Sequence, residues 1–269
     1  MSGEKNKKEP ILDGERVTIF LKGKKYVSTV IPGRMALGNH SISGKTLIGR
    51  PFGRQEVAGL ELLIMPPSIV DHMDTLIRGP QVILSHDAAN ILFLGNVNAG
   101  KTALEAGSGS GSLTMALASA VGDHGKVVSV DTSHKNSEIA RKNVKRARLI
   151  DRVTFLVGDV RVHEEIRNLL DGQDIVGVDT IILDMPDPWE AVETALDLLS
   201  SGGILITYLP TMNQVERFRL RIEGADQVEF TDVITSETIK RDLVVKEGAV
   251  RPDYAMLGHT GYITVARRI

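Results

Sequence analysis

One stretch limits the choice of fold more than any other: ALEAGSGSGSLT, residues 103 to 114. Ala103 to Ala106 read as the end of a buried strand. Gly107, Gly109 and Gly111 turn the chain at alternate positions, and Leu113 opens a helical pattern. A strand, a glycine-rich turn and a helix N-terminus let backbone approach a ligand closely, because glycine has no Cβ and tolerates positive φ. In nucleotide-binding α/β folds such a turn lies at the carboxyl end of the first strand.

The ligand class follows from two details. A dinucleotide fingerprint beginning at Gly107 requires glycine at position 112, where this chain has Ser112. Just ahead of the glycines stands Glu105, giving acidic-x-GxGxG. An anion there repels a pyrophosphate but suits the ammonium group of S-adenosylmethionine (SAM). Taken alone the turn also admits a purely structural reading, so its surroundings decide.

From Lys101 those surroundings alternate regularly. KTALEA, GKVVSVD, RVTFLVGD, VDTIILD and GGILITYLP are short runs rich in β-branched residues, as parallel strands covered on both faces are. SLTMALASAV, a segment after Ser133, HEEIRNLL, PWEAVETALDLL and QVERFRLRI read as the helices between and after them. Then alternation stops: VEFTDVITSETIKRDL and HTGYITVARR have no helix between them and pair as a terminal antiparallel hairpin. The expected fold is α/β, a doubly wound, mostly parallel seven-stranded sheet ending in that hairpin. This is the Rossmann-like arrangement of class I SAM methyltransferases. Upstream, residues 1–12 read as a disordered tail and residues 13–65 as a small β-rich domain opened by a hairpin around Lys22-Gly23. Residues 66–100 read as linking helices, one (SIVDHMDTLIR) ended by Gly79-Pro80 and one over 86–95 capped by Ser85. The catalytic domain spans 101–269.

A competing motif lies just before the glycine turn. GNVNAGKT, residues 95–102, matches the phosphate-loop pattern GxxxxGK[ST]. That motif needs a helix directly after it. Here three glycines follow, each costing a helix about 1 kcal/mol relative to alanine. Lys101 therefore reads as the start of a strand.

Composition narrows the remaining chemistry. With no cysteine in 269 residues, disulfides, thiolate zinc sites and cysteine nucleophiles are excluded. The seven histidines show no HxxxH spacing, so no metal is expected. MSGEKNKKEP is no signal peptide, and no run approaches the about 20 apolar residues that span a bilayer; the expectation is a cytoplasmic protein without a membrane partner. A net charge of −2 is not that of a dedicated nucleic-acid binder, although basic clusters at 22–25, 141–148 and 217–221 permit RNA binding.

Three acids end three successive strands: Asp131, Asp159 and Asp184. Ligands lie outside the carboxyl ends of such strands, so these side chains can face one crevice with Gly107 to Gly111. Asp131 suits ribose hydroxyls; Asp159, followed by Val160, suits the amino group of the cofactor's adenine. In DMPDPW (184–189) the proline fixes the backbone and points Asp184 into the cleft. Its carboxylate suits the exocyclic amine of a base and the cation formed when adenine is alkylated at N1. Trp189 reads equally as core or as substrate contact.

QVILSHDA (81–88), LEAGSGSGSLT, GDV (158–160), DMPDPW, YLPT (208–211) and RPDYAMLGHTGYI (251–263) together resemble the tRNA (adenine-N1)-methyltransferases that modify the T-loop. The resemblance runs from about Gly14 to the C-terminus. It implies N1-methyladenosine at conventional tRNA position 58, in archaeal-type relatives also at the neighbouring adenine, and a homotetramer. It further implies a SAM site of Gln81, Ser85, Glu105, Gly107, Ser108, Gly109, Ser110, Gly111, Asp131, Asp159, Val160 and Asp184, the last catalytic. Leu84, Tyr208, Pro210, Arg251 and His259 are then expected near RNA. Leu84 departs from the Tyr or His common in the family, and Asp131 from the commoner Glu. The alternatives are a methyltransferase acting on a small molecule or protein, a non-catalytic tRNA-binding subunit of the same fold and, remotely, a phosphate-loop NTPase.

Overall fold

The computed structural model describes residues 9–77, 79, 82–224 and 229–269, and divides into two compact units at Thr75/Leu76. In the first unit β1 (Arg16–Leu21) and β2 (Lys24–Thr29) form the expected hairpin, turning through Lys22 and Gly23 at positive φ. After the ribbon β3 (Arg34–Leu37) and β4 (His40–Ser43) come β5 (Gly53–Val57) and β6 (Leu60–Met65). The four-stranded antiparallel sheet runs β2-β1-β6-β5 over a core of Ile11, Val17, Ile19, Leu37, Leu47 and Ile64. Residues 1–8 of the expected tail lie outside the described residues. Ile11 is buried and bonded to Arg50 and Gly49 through its backbone, so the packed unit includes residue 11, which was expected in the tail.

This unit ends in α1 (Ile69–Asp74), shorter than the helix expected over SIVDHMDTLIR. Ser68 and Asp71 close a reciprocal capping box. The same carboxyl accepts from Thr18 Oγ1 at 2.9 Å and pairs with Lys25 Nζ at 2.7 Å, tying helix to sheet. Against the cost of burial, Lys25, the Ser68 amide and Thr18 hold Asp71 down to about 2.

The second unit opens with α2 (Ser85–Leu94), whose N-cap is Leu84 and not the expected Ser85. Then follow β7 (Thr102–Ala106), α3 (Ser112–Val121), β8 (Lys126–Asp131), α4 (His134–Arg146), β9 (Val153–Val157), α5 (His163–Asp171), β10 (Val178–Leu183), α6 (Val192–Leu198), β11 (Leu199–Leu209) and α7 (Met212–Glu223). β12 (Phe230–Glu237), the ribbon β13 (Leu243–Lys246) and β14 (Ala249–Pro252), and β15 (Tyr262–Arg268) complete it. The sheet order is β12-β15-β11-β10-β7-β8-β9, with β15 antiparallel to both neighbours and the five strands from β11 to β9 parallel. The terminal hairpin thus forms as expected, but β13 and β14 interrupt its connection.

Strand order reverses at β7, between β8 and β10, and opens a crevice at the carboxyl edge. α3 packs with eight of its ten residues buried, as an interior helix must. Residues 95–102 lie at the other edge, leading from the end of α2 into β7. Thr180 Oγ1 donates to Gly95 O at 2.7 Å, and Lys101 Nζ pairs with Asp179 at 2.7 Å. A strand follows this segment, so the phosphate-loop geometry is absent. No helix among the described residues is long and apolar enough to cross a membrane.

Candidate active site

The crevice holds a cavity of about 440 Å³ lined by Gly107, Gly109, Asp131, Asp159, Val160, Asp184, Tyr208 and Pro210, with Thr132, Asn136, Arg161 and Gln214 among the rest. Gly107 has φ +100°, and a Cβ there would stand 2.0 Å from Asp184 O. Only glycine fits, and its absent side chain is what lets the turn and the end of β10 meet. Asp184 N donates to Ala106 O at 2.9 Å and Gly107 N to Val130 O at 2.8 Å, extending the ladder just beyond the strands.

Four acids converge on this edge in different states. Glu105 is 1% exposed, with Oε2 accepting from Thr114 Oγ1 at 2.5 Å and Ser129 Oγ at 2.7 Å. Burial pushes it up to about 8, reinforced by repulsion from Asp184 and Asp131. Fully enclosed within β7, it does not line the cavity. Asp131 accepts from Gly109 N at 3.1 Å and Ser133 N at 2.8 Å, clamping turn to helix. Asp159 is covered by Arg161, whose backbone N and guanidinium donate to it at 2.6 to 3.1 Å and hold it below the usual carboxylate range. It is thus already engaged where an adenine amino group was expected.

Asp184 differs from the other three. Among the described residues its carboxyl has no hydrogen-bond or ion-pair partner, and burial alone raises it to about 7. An unpaired carboxyl in a protein-walled cavity is suited to a cation or to an N–H donor.

The remaining expected residues divide. Ser108, Ser110 and Gly111 shape the turn from behind: Ser108 Oγ meets Ser129 Oγ, Ser110 Oγ accepts from Gly79 N, and Gly111 presses on Ala140. Leu84 is exposed and Ser85 opens α2; neither lines the cavity, and Gln81 lies outside the described residues. His259 Nδ1 meets Glu237 at 2.6 Å and Nε2 meets Pro210 O at 2.8 Å. Both partners are acceptors, an arrangement that favours the doubly protonated ring, and Glu237 raises the imidazole's pKa. Arg251 lies on β14, away from the cavity, stacked on Tyr254. Trp189 is buried under Arg217 and belongs to the core. Asn136, Arg161 and Gln214 were missed from sequence, although each sits shortly after a strand end, where crevice residues concentrate.

The protein-family model described as "tRNA methyltransferase complex GCD14 subunit" matches residues 72–251, about two thirds of the chain. The chain belongs to this family. A relative from Methanocaldococcus jannaschii, named tRNA (adenine(57)-N(1)/adenine(58)-N(1))-methyltransferase TrmI, is 34% identical over 229 residues, 78% of this chain and 79% of its own. Among solved structures, a SAM-dependent O-methyltransferase from Thermotoga maritima superposes with TM-score 0.83 at 25% identity, covering 96% of this chain and 94% of that one. The tRNA (m1A58) methyltransferase TrmI from Aquifex aeolicus gives 0.80 at 24% identity, covering 97% and 99%. The chain therefore has the class I SAM-methyltransferase fold. Its cavity chemistry fits that cofactor: glycine backbone at Gly107 and Gly109, an acid (Asp131) ending β8, and a wall of acids for a sulfonium. Among the described residues no group of three or more His, Asp or Glu is placed to hold a metal.

Proposed function

We propose that this chain is a SAM-dependent tRNA methyltransferase acting on adenine N1 in the T-loop, at position 58, with the neighbouring adenine as second target. The observation that carries this reading is Asp184: the cavity carboxyl without a partner, beside the glycine turn, with a pKa raised by burial to about 7. When bound, SAM supplies a methyl group on sulfonium sulfur; the N1 lone pair forms the new C–N bond as the S–C bond breaks and positive charge passes to the purine. Asp184 accepts from the exocyclic amine and faces the charge that develops on the ring. It ionises more readily once positive charge enters the cavity. Gly107 and Gly109 leave room for close backbone approach, Asp131 keeps lone pairs for ribose hydroxyls, and Tyr208 and Pro210 wall the base side.

We further propose a cytoplasmic homotetramer, supported by the exposed apolar side chains of Leu243, Val245 and Val250 on the β13–β14 ribbon. The test of function is incubation of unmodified tRNA transcript with methyl-labelled SAM, followed by nucleoside mapping. N1-methyladenosine in the T-loop is expected. Transfer to a hydroxyl of a small molecule or protein, with none to tRNA, would overturn the reading.

A further inference from the structure

The sequence carries basic clusters at 22–25, 141–148 and 217–221, and the folded chain treats them differently. On α7 the arginines are engaged: Arg217 lies over the Trp189 ring, Arg219 pairs with Glu223 and Arg221 with Glu193. At 22–25, Lys25 pairs with Asp71 and Asp74. On α4 most of the charge is left over. Its single acid, Glu138, is taken by Arg141 at 3.5 Å. Lys135, Lys142, Lys145 and Arg146 are exposed and, among the described residues, have no acidic partner.

Helical geometry gathers these cations. α4 buries Ser137, Ala140, Asn143 and Val144. At about 100° per residue, Lys135, Lys142 and Arg146 lie within about 40° of one another on the opposite face, with Lys145 on the flank. They span about 16 Å along the axis, the reach of several nucleotides. The same helix starts at the cavity. Asn136, in its first turn, lines the cavity, and the amide of its N-cap Ser133 donates to Asp131 at 2.8 Å. The stripe therefore begins beside the cavity wall and leads away from it.

Two structural explanations fall short. Cations suit the negative end of a helix dipole, which accounts for Lys145 and Arg146 in the last turn. Lys135 stands in the first turn, at the positive end, where the helix has no acid. Composition does not account for the stripe either, since the chain carries a net charge of −2. Lys142 and Arg146, four residues apart, repel each other, and a polyanion on this face relieves that.

We propose that this face of α4 is a docking surface for the phosphate backbone of the substrate RNA, gripping it where it leaves the cavity. This rests on the proposed tRNA chemistry and adds a surface to it. Cations spaced along a helix in this way read no base. They neutralise phosphates and release condensed counterions, so their mark is salt dependence and not sequence preference.

The experiment compares wild type with a quadruple variant carrying Lys135→Gln, Lys142→Gln, Lys145→Gln and Arg146→Gln. Two charge-matched pairs accompany it: Lys142→Gln with Arg146→Gln on α4, and Arg219→Gln with Arg221→Gln on α7. Binding of tRNA transcript is titrated across a salt series, with methyl-transfer kinetics, S-adenosylhomocysteine affinity, melting and sedimentation measured in parallel. Wild-type protein that forms no N1-methyladenosine would sink the functional reading itself, before any variant bears on α4. Where it does form it, the log–log slope of RNA affinity on salt should fall by about 3 in the quadruple variant and about 1.5 in the α4 pair. KM for tRNA should rise about tenfold in the quadruple variant, with kcat and cofactor-product affinity within about twofold. The α7 pair removes as much charge as the α4 pair and should leave the slope within about 0.5 of wild type. An unchanged slope in the quadruple variant, or an equal fall in the α7 pair, would overturn the proposal. An unchanged slope with altered sedimentation would overturn it in favour of a second copy of the chain on this face. If the quadruple variant melts early, the α4 pair decides.

Discussion

Asp184 gives the sharpest quantitative prediction. Its carboxyl titrates at about 7 in the free protein, against 3.8 for an ordinary aspartate. At 1.36 kcal/mol per decade, ionising it in place costs at most about 4 kcal/mol more than in water, less what solvent in the open cavity screens. The proposed mechanism needs the carboxylate at the methyl-accepting site. With cofactor limiting, kcat/KM should therefore rise about tenfold per pH unit below the midpoint, standing near 1% of its plateau at about pH 5. With cofactor saturating, the midpoint should move to lower pH, because a cation beside the carboxyl favours its charged form. Asp184→Asn keeps the shape and removes the charge; turnover should fall about 10²–10³-fold, the scale of losing one transition-state charge partner, and the limb near pH 7 should vanish. The assay is methyl transfer to tRNA transcript across the pH range, with calorimetry showing that the variant still binds cofactor. Wild-type turnover in Asp184→Asn, or a variant profile that keeps the limb, would refute the reasoning.

Stability carries the opposite sign at this site and in the first unit. Asp184 and Glu105 have raised folded values, so their favourable contribution is complete below about pH 4 and is lost as pH rises through 7 and 8. Bound SAM should accordingly raise the melting temperature more at about pH 8 than at about pH 5. Asp71 is depressed to about 2, so its contribution is present above about pH 4 and lost on acidification towards 2. Asp71→Ala should cost about 2–3 kcal/mol by removing the capping box and stranding Lys25 and Thr18, read by denaturation of the whole chain. Gly107→Ala meets both φ +100° and the Asp184 carbonyl at 2.0 Å, and should abolish cofactor binding by calorimetry. Lys101→Ala breaks only a half-exposed pair with Asp179; it should cost no more than about 1 kcal/mol and leave methyl transfer intact.

What could be read from the sequence and what could not separate along physical lines. The strands of the parallel sheet were legible because both their faces are covered, which forces unbroken apolar runs such as IIL before Asp184. The terminal hairpin was legible because alternation with helices stops. Its interruption was missed although the signal is present: LVVK and AVRP flank Glu247-Gly248, a two-residue turn with Gly248 at φ +68°. The true cap of α2 depends on the extended backbone of Leu84, which residue type alone does not reveal. Asp87 and the Tyr208 hydroxyl, 3.0 Å apart, carry no mutual spacing signal, since a helix and a distant strand end bring them together only in the folded chain.

The acids at the carboxyl edge make the same point for the site. Sequence could order Glu105, Asp131, Asp159 and Asp184 along the edge but could not assign their partners. Glu105 lies within β7, where successive side chains point to opposite faces, and its face carries the hydroxyls of Thr114 and Ser129. Asp131 is taken up by the amides of Gly109 and Ser133, and Asp159 by Arg161 two residues on. Each of these three acids is stabilised by groups within its own fold. The fourth, half-buried on the cavity wall, has no such partner among the described residues, and a desolvated carboxyl left unmatched carries a cost that an arriving cation would offset. On the proposed mechanism, the unmatched Asp184, directly across the turn from a glycine that admits no side chain, marks this end of the sheet as the place where positive charge arrives from outside.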